Sequence, residues 1–289
     1  MASLIYHAGA LGDFVTVLPA IARWRQVHPG ERSILLGKPA HAAISAPSFD
    51  ETWDAHARAF AGLFSRHGRL EQELSERLQS IESALVFAQA ESPLPAVLAD
   101  AGVNEVIRQD PFPPSATPIV DYHLSLFPGL ARDDERIPRI FIPVINAMAP
   151  SPVVLHPGSG SEKKNWPLER FLELSLRLTE KGEKVAWVLG PAEEGITVPH
   201  GHIVWMSLPL QELAARLARC KLFVGNDSGV THLAAAAGCP TVALFGESDQ
   251  RIWAPRGKCV SVITSSTRAM SAIKLEDVSS ACQDLLGEK

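Results

Sequence analysis

The chain has 289 residues, of which 46% are hydrophobic and 20% charged, with a formal net charge of −5. That balance belongs to a soluble globular protein long enough for two domains, each with its own core, and it excludes long disordered stretches. Residues 1–145 carry 12 Lys and Arg against 17 Asp and Glu, and residues 146–289 carry 15 against 15, so neither half offers the basic face that nucleic acid requires.

No apolar run reaches the length of about 18 residues that reads as a membrane helix. No charged segment, apolar run and small-residue cleavage site open the chain either, which predicts a cytoplasmic protein with room for peripheral contact at the inner face of the cytoplasmic membrane. Cys220, Cys239, Cys259 and Cys282 form no C-x-x-C pair and read as reduced structural thiols.

In chain order, Leu4–Tyr6 reads as the first strand, followed by Gly9-Ala10-Leu11-Gly12-Asp13-Phe14 and an amphipathic helix from about Asp13 to Val27. Two glycines permit close backbone approach, and Asp13 puts a carboxylate where a helix begins. Ile34–Leu36, Leu85–Ala88 and Val103–Ile107 read as further strands, with helices at Leu70–Ser80 and Leu94–Ala101. Residues 48–68, with Trp53, His56 and His67, show no clear period.

Residues 137–152 hold Pro138, Pro143, Pro150 and Pro152. Proline stiffens a chain and blocks helix, which suits a connection, and the domain boundary is predicted at 145/146. Beyond it come strands at Val153–His156, Lys184–Leu189, Ile203–Trp205, Leu222–Val224, Thr241–Phe245 and Val260–Ile263. Helices are predicted at Leu168–Lys181, Leu210–Ala218 and from about Gly229 to Ala237. Strands alternating with helices in both halves predict two Rossmann-like domains with parallel sheets.

Three loops of the second half carry visible chemistry. His156-Pro157-Gly158-Ser159-Gly160-Ser161 runs into Lys163-Lys164-Asn165-Trp166-Pro167, offering N–H and hydroxyl donors beside a lysine. It suits a phosphate, or equally a solvated turn with Pro167 at a helix start. Gly225-Asn226-Asp227-Ser228-Gly229-Val230-Thr231-His232 precedes an alanine-rich helix whose first N–H groups suit a diphosphate, although Asp227 or Ser228 could instead simply cap it. Gly246-Glu247-Ser248-Asp249-Gln250 is open to a sugar-hydroxyl contact or to a plain turn. Neither a Walker loop nor G-x-G-x-x-G after a strand is present, so nicotinamide cofactors lose support, and no cofactor is expected.

These segments resemble glycosyltransferase family 9, the family of ADP-heptose:lipopolysaccharide heptosyltransferases. The resemblance rests on Gly9-Ala10-Leu11-Gly12-Asp13 with Leu18-Pro19-Ala20, on His156-Pro157-Gly158 with Lys164-Asn165-Trp166-Pro167, on Asn226-Asp227-Ser228-Gly229 with His232, and on Gly238-Cys239-Pro240-Thr241-Val242-Ala243-Leu244-Phe245-Gly246. It implies an α/β glycosyltransferase-B fold: an acceptor-binding domain at 1–145 and a donor-binding domain at 146–289, facing a central cleft.

It also implies an inverting, metal-independent glycosyltransferase that moves a sugar, heptose from ADP-heptose, to a lipopolysaccharide-type or other glycan or lipid-linked acceptor. Asp13 matches the general base, and Gly9 and Gly12 its acceptor-side loop. Ser159, Gly160, Lys164, Ser228 and Gly229 fall at the donor phosphates, and Asp227 and His232 at the nucleotide-sugar. No D-x-D pair is present, so no metal is implied.

Two features depart from the family pattern. Tyr6-His7 stands where members commonly carry a basic residue, and the first half is acidic for an enzyme gripping a phosphorylated acceptor. Arg23, Arg25, Arg58, Arg66 and Arg69 are candidates for a local basic patch. A nucleotide-sugar epimerase and a non-catalytic nucleotide-sugar binding protein remain as alternative functions on this architecture.

Overall fold

A computed structural model describes residues 1–45, 48–65, 70–144 and 151–287. The chain divides into two compact units, Met1–Arg136 and Ile137–Lys289. The boundary expected at 145/146 lies outside the described residues, as do Arg66 and Arg69.

The first unit is a five-stranded parallel sheet with strands β1 (Ala2–His7), β2 (Arg32–Gly37), β3 (Glu51–Asp54), β4 (Ile81–Phe87) and β5 (Glu105–Gln109), in the order β3-β2-β1-β4-β5. Its helices are α1 (Leu11–Val27), α2 (Pro39–Ser45), α3 (Gln72–Leu78), α4 (Leu94–Asp100) and α5 (Ile119–Leu124). Phe14–Ile21 in α1 are all buried, so this helix lies inside the unit and packs on α5 as well as on the sheet. The unpatterned stretch 48–65 contains β3, a four-residue edge strand, and a 3-10 helix at Arg58–Phe64. Trp53 stacks on Phe60 there, with the Arg77 guanidinium 4.6 Å above the indole.

The second unit is a six-stranded parallel sheet of β6 (Val153–His156), β7 (Val185–Leu189), β8 (Ile203–Met206), β9 (Leu222–Asn226), β10 (Thr241–Phe245) and β11 (Val260–Thr264). Its helices are α6 (Leu168–Glu180), α7 (Leu210–Leu217), α8 (Gly229–Ala236), α9 (Gln250–Trp253) and α10 (Leu275–Leu286). The order β11-β10-β9-β6-β7-β8 places the unit's first strand in sequence, β6, at the centre beside β9. Val154, Leu155, Trp187, Val224 and Leu244 are fully buried, as expected of strands covered on both faces.

In each sheet the chain winds outward one way and then the other. The reversal lies between β1 and β4 in the first unit, and between β6 and β9 in the second. Open α/β sheets bind ligands at the carboxyl ends of the strands beside such a reversal. Gly9–Asp13 follows β1, and the loops at 157–167 and 227–228 follow β6 and β9.

Candidate active site

In the first unit the chain passes from His7 through Ala8, Gly9 and Ala10 into α1, so Gly12 and Asp13 are the second and third residues of the helix. Asp13 is half-buried, and its Oδ2 accepts the Ala10 N–H at 3.2 Å. This is the return half of a capping box; the outward half is missing because alanine carries no side-chain acceptor. A carboxylate in the first turn is favoured by the helix dipole. A side chain at Gly9 would be tight: a Cβ there would lie 3.0 Å from His7 Cε1 and 3.2 Å from both His7 Nε2 and Asp13 Oδ2.

Beneath this turn lies a group of buried rings that sequence reasoning missed. His7 on β1, His41 on α2 and His123 on α5 are each 3% exposed or less. His41 stacks on Phe14 at 4.5 Å; His7 lies 5.4 Å from Phe14 and 6.1 Å from both His41 and Phe87; and His123 meets Phe87 edge-on at 5.2 Å. The Nδ1 atoms of all three histidines are buried without a hydrogen-bond partner. Burial, reinforced by mutual repulsion with His41, His123 and Lys38, pushes the His7 imidazole down to about 3. Burial pushes His41 and His123 down to about 4. All three rings are neutral at physiological pH. Their signal in the sequence is only three histidines far apart, which the topology gathers at one sheet edge.

Arg25 lies elsewhere: it donates to Ser33 Oγ at the start of β2, while Arg23 pairs with Glu135.

In the second unit two predicted loops meet. Lys164 Nζ donates to Asp227 Oδ2 at 2.8 Å, joining the loop after β6 to the loop after β9. Asn226, the last residue of β9, makes the junction rigid. Its Nδ2 donates to the Pro157 carbonyl at 2.7 Å, and its Oδ1 accepts the Trp166 N–H at 3.0 Å, all fully buried. Trp166 in turn donates from Nε1 to the Ile273 carbonyl and packs edge-on against Phe171. Asn226 therefore clamps both ends of the loop that carries Ser159, Gly160 and Lys164.

Ser228 is the N-cap of α8: its Oγ accepts the Thr231 N–H at 3.3 Å. The Thr231 hydroxyl donates to the Asn226 carbonyl, so in the contact between the two hydroxyls Ser228 is the donor. Its one proton is thus used inside the loop. What this loop can offer an anion is the first-turn N–H groups of Gly229 and Val230, which have no carbonyl partner within the helix. His232, in the first full turn of α8, is buried. The Ser159 hydroxyl likewise donates to the Ser161 carbonyl, at 2.7 Å.

A cavity of about 430 Å³ opens beside this junction, lined by Ser159, Gly160, Asn165, Trp166, Glu193 and Ile196 among others. Glu193, a second residue that sequence reasoning missed, stands just after β7. Its Oε2 accepts the Gly190 N–H at 2.7 Å, and its Oε1 fills the space where a Cβ on Gly158 would be, 2.2 Å away. His156 donates from Nδ1 to the Val188 carbonyl at 2.9 Å, and burial lowers its pKa, so its ring is neutral. In the third loop Gly246 is covered by Met270 and the Arg268 carbonyl, whereas Glu247 is exposed and lines a cavity of about 710 Å³ with Lys163, Asn165 and Arg268.

With this geometry in place, the family model for glycosyltransferase family 9 (heptosyltransferase) matches residues 139–281, a span that holds every loop of the second-unit site. Over that span, just under half of the chain, the second unit is similar to glycosyltransferase family 9. Gly9–Asp13 lies outside the matched span.

Among curated relatives, lipopolysaccharide heptosyltransferase 3 of Escherichia coli K12 is 26% identical over 161 residues, 47% of this chain and 46% of the relative. Lipopolysaccharide heptosyltransferase 1 of Pseudomonas aeruginosa is 35% identical over 107 residues, 35% of this chain and 30% of the relative. The chain spans between 30% and 46% of the length of the curated relatives it matches.

Among solved structures, the E. coli ADP-heptose lipopolysaccharide heptosyltransferase II superposes with a TM-score of 0.75 at 18% identity, covering 100% of this chain and 99% of that one. E. coli heptosyltransferase WaaC with ADP gives 0.72 at 18%, covering 99% and 100%. These likenesses establish the glycosyltransferase-B fold, built from two parallel-sheet α/β units.

Proposed function

We propose that this chain is a member of glycosyltransferase family 9, an inverting glycosyltransferase that moves heptose from ADP-heptose to a lipopolysaccharide-type acceptor in the cytoplasm, at the inner face of the membrane. The observation that carries the donor half of this reading is the Lys164–Asp227 pair at the β6/β9 reversal, held by Asn226 beside the α8 N-terminus. A diphosphate arriving there draws Lys164 from Asp227 and meets the amides of Gly229 and Val230, with the Ser159–Gly160 backbone and Ser228 alongside. The adjoining cavity takes the nucleoside, with Glu193 facing its hydroxyls and His232 beneath the loop.

In the first unit Asp13 is the base. It takes the proton of the acceptor hydroxyl as that oxygen bonds to the anomeric carbon, and the bond to the diphosphate breaks with its electron pair on the leaving group. Positioned bases of this kind contribute about 10²–10⁴-fold in rate. As the diphosphate leaves, its growing charge falls to Lys164 and the helix amides.

Calorimetric titration with ADP, GDP and UDP tests the donor site. ADP binding in preference to the other two, weakened at least tenfold by Lys164→Met, is expected. Equal binding of all three, or an affinity indifferent to Lys164, overturns the assignment. Among the described residues no helix is long and apolar enough to cross a membrane, so contact with a lipid acceptor would be peripheral.

A further inference from the structure

His7 Nε2 and Asp13 Oδ2 each lie 3.2 Å from the point where a Gly9 Cβ would stand. Two polar atoms, one on β1 and one on α1, thus converge on the same space over an exposed glycine at the β1/β4 reversal. A single oxygen resting over Gly9 can reach both.

The identity of the two atoms is complementary. Asp13 offers an acceptor. The His7 ring has a sealed nitrogen, Nδ1, with no partner, and an Nε2 on the edge beneath Gly9. A proton on Nδ1 would be an unpaired donor in the interior, which folded proteins rarely tolerate. The neutral ring therefore carries its proton on Nε2, aimed at the space Asp13 also faces.

The other groups around His7 are its own backbone, whose hydrogen bond raises the ring's pKa without offsetting burial, His41 from α2, His123 from α5, Lys38 just before α2, and the Phe14 and Phe87 rings. None of them is a carboxylate that would hold His7 as a cation. Among the described residues no group of three His, Cys, Asp or Glu is placed to hold a metal ion, so the three rings do not form a metal set.

We propose that His7 is a second acceptor-contacting residue: its Nε2–H donates to the oxygen of the same acceptor hydroxyl whose proton Asp13 takes. This rests on the reading of Asp13 as the base. The hydrogen bond from His7 fixes the direction of the hydroxyl's lone pair, while the proton itself moves to Asp13 and His7 stays neutral throughout. Gly9 is glycine because any side chain would occupy the place of that oxygen.

Two measurements test this. Long-range ¹H–¹⁵N NMR on the intact protein at pH 7 reads the His7 tautomer with no substrate present. A neutral ring with its proton on Nε2 is expected; an Nδ1–H tautomer or an imidazolium overturns the proposal, whatever the acceptor is. Steady-state kinetics follow, with ADP-heptose as donor and heptose-free lipopolysaccharide core lipid as acceptor. His7→Phe, which keeps the ring and removes the donor, is expected to lower kcat/KM for the acceptor at least tenfold with the KM for ADP-heptose unchanged.

His7→Gln, which restores an N–H near the same place, should recover part of that loss and serves where the phenylalanine variant folds poorly, as checked by circular dichroism. Wild-type acceptor kcat/KM in His7→Phe, or equal losses in Phe and Gln, overturns the role of His7. Full turnover in Asp13→Asn sinks the general-base reading instead, so the two failures are told apart.

Discussion

The buried histidines of the first unit make its stability steeply dependent on pH, and His123 is the position where this is cleanest to measure. Its ring is 2% exposed, and burial pushes its pKa down to about 4, against the ordinary 6.5 of an unfolded chain. Between those values the unfolded chain binds a proton that the folded chain refuses. The associated stability is therefore full above pH 6.5 and is lost as pH falls toward 4. Going from pH 7.5 to pH 5 costs about 2 kcal/mol for one such histidine, and about 4 kcal/mol for His7 and His123 together.

His28 runs the other way. Burial alone would lower it, but its hydrogen bonds to Glu105 and to the Trp24 carbonyl raise it, so its contribution is present at low pH and fades as pH rises through the raised value. Comparing wild type with His123→Phe cancels that term. The phenylalanine keeps a ring against Phe87 and Tyr122 and removes the titrating nitrogens. In urea unfolding followed by tryptophan fluorescence, the variant should gain about 2 kcal/mol relative to wild type between pH 7.5 and pH 5, a midpoint shift of about 1 M for a slope of about 2 kcal/mol/M. Midpoints that fall in parallel for the two proteins would refute the claim that His123 is held neutral by burial.

The loop clamp gives two further expectations. Asn226→Ala leaves the Trp166 N–H and the Pro157 carbonyl buried without partners, at about 2–4 kcal/mol. The thermal midpoint should drop by about 5 °C or more and ADP binding should weaken with it; an unchanged midpoint would mean the clamp contributes nothing. Gly158→Ala sets a methyl against the Glu193 carboxylate and must push it off the Gly190 N–H. A loss of about 1–3 kcal/mol is expected from this overpacking, and a melt identical to wild type would show that Glu193 moves freely.

Much of the architecture could be read from the residues because hydrophobic runs in parallel strands are long and uninterrupted. Val153–His156, Val185–Leu189 and Thr241–Phe245 are apolar on both faces and stand out from any amphipathic helix. What escaped was short or decided by distant contacts. The strand Glu51-Thr52-Trp53-Asp54 is four residues of mixed polarity, fixed as a strand by pairing with β2. The helix α5 is six residues long and held by burial of Ile119, Val120 and His123. Of the candidate site, the glycines and Lys164 could be proposed from the sequence because their chemistry is local. Asn226 was visible only as part of a polar loop; that its amide bridges Pro157 and Trp166, more than 59 residues away in sequence, depends on β6 and β9 being neighbours.

The two units place different chemistry at the same topological position. At the β6/β9 reversal, cation, amide dipoles and a clamped loop converge, which suits a ligand that arrives carrying charge. At the β1/β4 reversal the rings of the floor are aromatic and imidazole, uncharged at neutral pH, with Lys38 beside them and one carboxylate, Asp13, above. A cation placed under that carboxylate would stabilise its ionised form and weaken it as a base. For the base proposed at Asp13, a floor of neutral rings leaves the carboxylate free to take a proton and still offers a hydrogen bond to the group that gives it up. On this view the histidine that stands where related chains commonly carry a basic residue keeps the polar contact and gives up the charge.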